Sequence, residues 1–330
     1  MALSDINPKL LEEKNKNGYE VLRDAIKKHK ITKITKRDAV FLLNKQMEGV
    51  SETNGNLFIY MFYFSCTDPS GAANSPVWYK KIQENDFNGK ESTPWCACYA
   101  SFILNMAGIS PTGHWSSSLE LFTKKHGLTT LTGNDAFNSV KSMDTVHYGN
   151  IGEGHVAFVT KENPNKKNNY KYAFYDFGGN QGDSVNLVPP QLKTGLAGFG
   201  TSPEYEKEIN AGDFLSVLAY FVGANLKTPQ ERIELIKNRL DTPLKQPTTF
   251  SNEVYSTRGL INQNVNSNLS FATNVPPNNA YLLSNSPNTI PFRDRFKELL
   301  IFEQSLIDSG IPLTTNISRT QVASRAGSLK

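Results

Sequence analysis

The segment from Thr93 to Gly108, TPWCACYASFILNMAG, is punctuated as a helix at both ends and is apolar along most of its length. It therefore fixes one buried element around which the rest of the chain has to pack. Thr93 is placed to cap. Pro94 suits the first helical position, where its missing N–H costs nothing, and Gly108 can take the left-handed conformation that closes a helix. This register makes Cys96 the third helical residue, with its sulfur among unpartnered backbone N–H groups at the positive end of the helix dipole. A free cysteine titrates near ~8.5 and a helix N-terminus favours its thiolate, so Cys96 is the candidate nucleophile. The same N–H groups suit the oxyanion formed when a carbonyl is attacked. Cys98 lies about 200° further round the helix and is expected in the core.

A nucleophile of this kind needs a base. Of His29, His114, His126, His147 and His155, only His155 begins a strand-like run, GHVAFV, in which alternation turns the imidazole to the face opposite Val156. A third group should hold the imidazole in one tautomer. Asn180 in FGGNQGD is the candidate, because the paired Gly178 and Gly179 let the backbone turn sharply beside the preceding strand; Asp176 and Gln181 are the understudies.

The remaining elements are arranged around these. Residues 1 to about 50 read as helical. Thr35 and Asp38 stand at near capping-box spacing ahead of Val40, Leu43 and Met47, and Gly49 marks the end. The run NLFIYMFYF, residues 56–64, is too short for a confident helix and fits a buried strand or a short packed segment equally. TDPSGAANSP reads as turns and VWYKKIQEN after it as helix-like. HVAFVT, YKYAFYDF and NLVPP have strand character, with KENPNKKNN as a hairpin-like loop between the first two. A helix followed by a small antiparallel sheet is the order of an α+β domain. Beyond residue 205, DFLSVLAYFVGAN reads as a buried helix, and Thr228-Pro229 opens another with Ile233, Ile236 and Leu240 on one side. Residues 241–290 are rich in Asn, Ser, Thr and Pro and read as an extended arm or linker; a last amphipathic helix after Pro291 carries Phe292, Phe296, Leu299 and Leu306 and stops at Gly310.

Composition narrows the classes. A net charge of +4 over 330 residues is too small to imply nucleic acid. The concentrated run Lys27, Lys28, Lys30, Lys33, Lys36 and Arg37 reads as a solvated surface, with a grip on an anionic polymer as the sharper alternative. Three cysteines, Cys66, Cys96 and Cys98, do not make an all-disulfide framework, so free thiols are expected. No cofactor or metal is expected, because no Cys-x-x-Cys or His-Glu-x-x-His spacing occurs. The glycines around Asn180 lack the Gly-x-Gly-x-x-Gly pattern of a phosphate cradle. No run reaches the ~18 apolar residues of a membrane helix, and the start has no basic segment followed by an apolar stretch. Synthesis in a cytoplasm without a Sec-type signal is therefore expected.

Taken together, Pro94-Trp95-Cys96-Ala97, Gly154-His155-Val156 and Gly178-Gly179-Asn180-Gln181-Gly182-Asp183, in that order, resemble the NlpC and CHAP-like papain-fold peptidoglycan hydrolases of bacteria and phages. The segment from Glu48 to Asn56 is also similar to the start of such domains. The resemblance covers about residues 38–205. It departs from many CHAP-like members in having Gly178 and Gly179 where those carry a glutamate. It implies a papain-like domain over residues 38–205, between a helical extension at 1–37 and a helical and extended region at 206–330 that serves for partner or particle attachment. It further implies Cys96 as nucleophile, His155 as base and Asn180 as orienting residue, with Trp95, Gln181 and Asp176 in substrate binding. The expected reaction is cleavage of an amide bond in or next to a peptidoglycan stem peptide, reached from a phage particle or injection apparatus, or as a released lysin. The rival expectation is an inactive phage-tail or virion protein that keeps the fold and assembles through its C-terminal arm.

Overall fold

The computed structural model describes residues 3, 16–66, 94–110, 113–133, 136–149, 154–160, 174–188, 195–224, 302–303, 306–311 and 313. Two capping boxes start its N-terminal helices. Asn17 and Glu20 cap α1 (Gly18–His29), and Thr35 and Asp38 cap α2 (Lys36–Met47), each pair exchanging side-chain to backbone hydrogen bonds. The expected helical stretch up to about residue 50 is thus broken by a short strand, β1 (Lys33–Thr35).

The run left open between strand and packed segment is a helix, α3 (Asn56–Phe64), and residues 56–63 are buried on every side. A helix with no polar face has to be enclosed, and α3 is, by the helix that carries Cys96 and by Phe221. That second helix, α4 (Cys96–Met106), is buried along its whole length. Trp95 takes the cap position with no side-chain capping bond, so Cys96 is the first helical residue rather than the third. Thr93, its expected cap, lies outside the described residues, as do VWYKKIQEN, KENPNKKNN, the helix after Pro229 and the arm at 241–290. Of the last helix, Phe302, Glu303 and residues 306–308 are helical, and Gly310 follows with φ of 69°.

After α4 come α5 (Leu119–His126), β2 (Thr129–Leu131) and the short α6 (Ala136–Ser139). The remaining strands are β3 (Thr145–Tyr148), β4 (His155–Thr160), β5 (Tyr175–Gly178), β6 (Asn186–Val188) and β7 (Leu196–Thr201). They form one antiparallel sheet of six strands in the order β2-β7-β3-β4-β5-β6, larger than the three segments read from sequence. Mixed helix and antiparallel sheet is therefore the architecture. One sheet face, with Val156, Phe158 and Phe177, joins the helical core; the other gathers Val146, Tyr148, Ala157, Val159, Phe174 and Phe199 against Ala136 and Val140.

A 3-10 turn (Pro203–Glu206), β8 (Glu208–Asn210) and α7 (Ala211–Ala224) follow. β8 pairs with β1, Ile34 lying opposite Ile209, and α7 packs on α1 and α2. Val21, Leu22, Phe214, Val217, Leu218, Phe302 and Leu306 all belong to the same core cluster as α4. Strand pairing and helix packing thus join residues before 38 to residues after 205.

The basic run divides. Lys27, Lys28 and Lys30 are exposed at the end of α1, where cations oppose the helix dipole favourably. Lys33, Lys36 and Arg37 pair with Glu208, Glu204 and Glu206, and Arg37 also reaches the fully buried Asp144 at 2.9 Å while covering the Tyr205 ring. The exposed pairs contribute little, but an unpaired buried carboxylate is expensive. Arg37→Ala, which leaves Asp144 with only Thr201 and the Lys141 amide, is expected to cost about 3 kcal/mol, read as a lower urea midpoint at unchanged m-value.

Candidate active site

The start of α4 meets the sheet where β4 outruns its neighbour. The β4–β5 ladder pairs only 158–160 with 175–177, and Val159 directs its N–H and C=O to Asp144 and Met143 on the β3 side. Alternation then turns the Val156 N–H towards β5, where no strand partner remains. The Cys96 sulfur stands close enough for the Val156 amide to act on its thiol. Sequence-remote α4 is thereby tied to the residue next to His155.

Gly178 and Gly179 allow this approach. A Cβ on Gly179 would lie 2.5 Å from Trp95 Cζ3 and 2.6 Å from Tyr99 Cβ; one on Gly178 would lie 2.8 Å from Ala157 Cβ. The loop that follows is clasped to residues 49–52 by backbone bonds from Gly49 to Val185, Val185 to Val50 and Glu52 to Asp183. Glu52 in turn accepts from the Trp95 indole N–H at 2.9 Å. One clasp thus steadies both the residue before Cys96 and the turn beyond β5.

His155 shares its sheet face with Ala157, Val159 and its cross-strand neighbour Tyr148, opposite Val156 as alternation predicts. Its Nε2 lies 3.1 Å from the carboxamide of Gln181. Asn180, the expected orienting residue, stands in the left-handed region at φ 56° and has no side-chain hydrogen bond among the described residues. The turn that the two glycines make carries the side chain of the next residue, not of Asn180, to the ring. Gln181, one of the two understudies, is therefore the residue of the GGNQGD run that meets the ring. Asp176 is fully buried and accepts from the Tyr148 hydroxyl at 2.9 Å. Trp95 and Asp176 thus offer a ligand no surface in this conformation, whereas Gln181 meets His155 instead.

The electrostatics differ from those expected at a helix start. Cys96 is 4% and His155 9% exposed, so the two lie in a closed site and not an open groove. Burial pushes the Cys96 thiol up, and the amides of Val156, Ala97 and Cys96 oppose this without cancelling it. Burial, with a smaller contribution from His147, pushes His155 down to about 4. At neutral pH the resting site is therefore a neutral thiol and a neutral imidazole. The two are not hydrogen-bonded to each other in this conformation. All three cysteines are free; Cys98 is fully buried beside Cys66, which is the core role expected of it.

A second set of buried imidazoles lies behind α4. His126 sits between the Ser101 and Ser110 hydroxyls, 2.8 Å from each, and His147 bonds Thr145 and the Ser117 carbonyl. Every ring nitrogen there is used in internal bonding, so these side chains hold the fold. No group of His, Cys, Asp and Glu among the described residues could hold a metal ion, and no described helix is long and apolar enough to cross a membrane.

Compared with family models, with curated proteins and with solved structures, the chain matches none.

Burial lowers His126 to about 3 and both His147 and His155 to about 4, from 6.5 in the unfolded chain. Between those values only the unfolded state binds the protons, so stability is full above about pH 6.5 and falls as pH drops towards 4. Each imidazole contributes a slope of about 1.4 kcal/mol per pH unit, and urea midpoints measured from pH 7.5 to 4.5 should decline accordingly.

Proposed function

We propose that the chain is a cysteine hydrolase of the papain type that cleaves an amide bond in or next to the stem peptide of peptidoglycan. What supports this is that the helix-start Cys96 stands where the Val156 amide acts on its thiol, next to a strand-borne histidine whose ring meets a carboxamide at 3.1 Å. The peptidoglycan substrate rests on the resemblance of three sequence segments.

A carboxamide turned by 180° exchanges its oxygen and nitrogen. As placed, the Gln181 oxygen is buried without a partner. Turned to the ring, it accepts from Nε2–H and leaves the Nδ1 lone pair as the base, a nitrogen that no described residue engages. A neutral resting pair then reacts by general-base catalysis. As Cys96 attacks the scissile carbonyl, its proton passes to Nδ1 round the free end of β4, and the ring moves into contact with the sulfur. The N–H groups of Cys96 and Ala97 at the start of α4 hold the oxyanion. His155 then protonates the leaving amine, and water releases the acyl group from sulfur. The chain would act at the bacterial cell wall, carried by a phage particle or injection apparatus or released as a lysin.

The burial of Cys96 and His155 favours a second reading, a virion protein that keeps the fold without turnover. Purified peptidoglycan separates the two. Cys96→Ala is expected to reduce release of soluble fragments to background in a variant that still unfolds cooperatively, and Gln181→Ala to lower kcat by about 100-fold, with Asn180→Ala close to wild type. Fragment release that survives Cys96→Ala would refute the proposal; binding to sacculi with no release by the wild type would favour the second reading.

A further inference from the structure

Two buried polar side chains behind His155 have no part in the proton transfer. Tyr148 lies directly across the β3–β4 ladder from His155, and Asp176 across the β4–β5 ladder from Val159, so all three point to one sheet face. The Tyr148 and His155 rings are nearly parallel, 24° apart, with centroids 6.4 Å from each other, within the range of offset stacking. The Tyr148 hydroxyl donates to Asp176 Oδ1 at 2.9 Å, and both residues are fully buried. A carboxylate placed inside a sheet is costly unless its hydrogen bonds are made. Its bond to Tyr148 fixes the far end of that ring, and the near face then limits the planes open to the imidazole.

We propose that Tyr148, anchored by Asp176, is a positioning residue that sets the ring plane of His155, while Gln181 sets its tautomer. This rests on the reading of Cys96 and His155 as a working pair. Two constraints are needed because a hydrogen bond at Nε2 fixes one edge of the ring and leaves rotation about that bond free. A parallel ring on one face limits this freedom. The remaining charged or titratable neighbour named by the electrostatics, His147, acts on His155 from the opposite face of the sheet, and is occupied with Thr145 and Ser117.

The test uses the full chain and needs no cell-wall substrate: alkylation of Cys96 by iodoacetamide from pH 5.5 to 9, followed by peptide mass spectrometry, with Cys98 in the same peptide map reporting whether the core is intact. His155→Ala is expected to slow alkylation of Cys96 at pH 7 by about tenfold or more and to move its pH dependence upwards. Tyr148→Leu should approach that loss, about tenfold, and Tyr148→Phe, which keeps the ring and removes the anchor, should lose about threefold, both with Cys98 protected. A merely structural Tyr148 would leave the pH profile of Cys96 unmoved. If His155→Ala slows alkylation but both Tyr148 variants behave as wild type, the positioning role is overturned. If His155→Ala itself behaves as wild type, the Cys–His reading fails instead. Should Tyr148→Leu expose Cys98, Tyr148→Phe decides: a wild-type profile overturns the role, and a slowed, shifted one supports it.

Discussion

One unmatched backbone amide organises this molecule. Because β4 extends past the last residue of β5 with which it pairs, the Val156 N–H would be a buried donor with no acceptor, a state that folded proteins avoid. The thiol at the start of α4 stands within reach of that amide. The helix has to run over the sheet so that Tyr99 meets Phe158, the chain beyond β5 has to pass within contact of Trp95 and Tyr99, and only glycine is small enough there.

The interior so formed is polar but uncharged at its centre. His126, His147 and His155 are kept neutral by burial and engaged by hydroxyls, a carbonyl or a carboxamide, while the formal charges of the buried Asp144 and its partner Arg37 lie at the seam between α2 and the sheet. A nucleophile in such surroundings is stored as a thiol. On the proposed reading, proton transfer to His155 accompanies attack by the sulfur on an electrophile instead of preceding it.

What the sequence disclosed depended on how local the signal was. Pro94 and Gly108 bracket α4, Thr35 and Asp38 start α2, and alternation in HVAFVT sets the face of His155; each is decided by residues within one or two turns. α3 was not decided, because an apolar run of nine residues has no period to read. β3 was hidden by its four-residue length and β7, LAGFGT, by two glycines, one of which makes room for Thr145 and Thr123. The candidate site divides the same way. Cys96 and His155 could be named from their own elements, but which of two adjacent loop residues meets the His155 ring could not, and it is Gln181.

Pairing of β1 with β8 joins residues some 175 positions apart. A nascent chain emerging at ~5–20 residues per second would hold α1 and α2 without their closing partners for roughly ten seconds or more. Through that interval Val21, Leu22, Val40 and Leu43, all at 0% exposure once folded, have no α7 to cover them. Late burial of the apolar faces of α1 and α2 is the consequence of placing a late-made helix against the first.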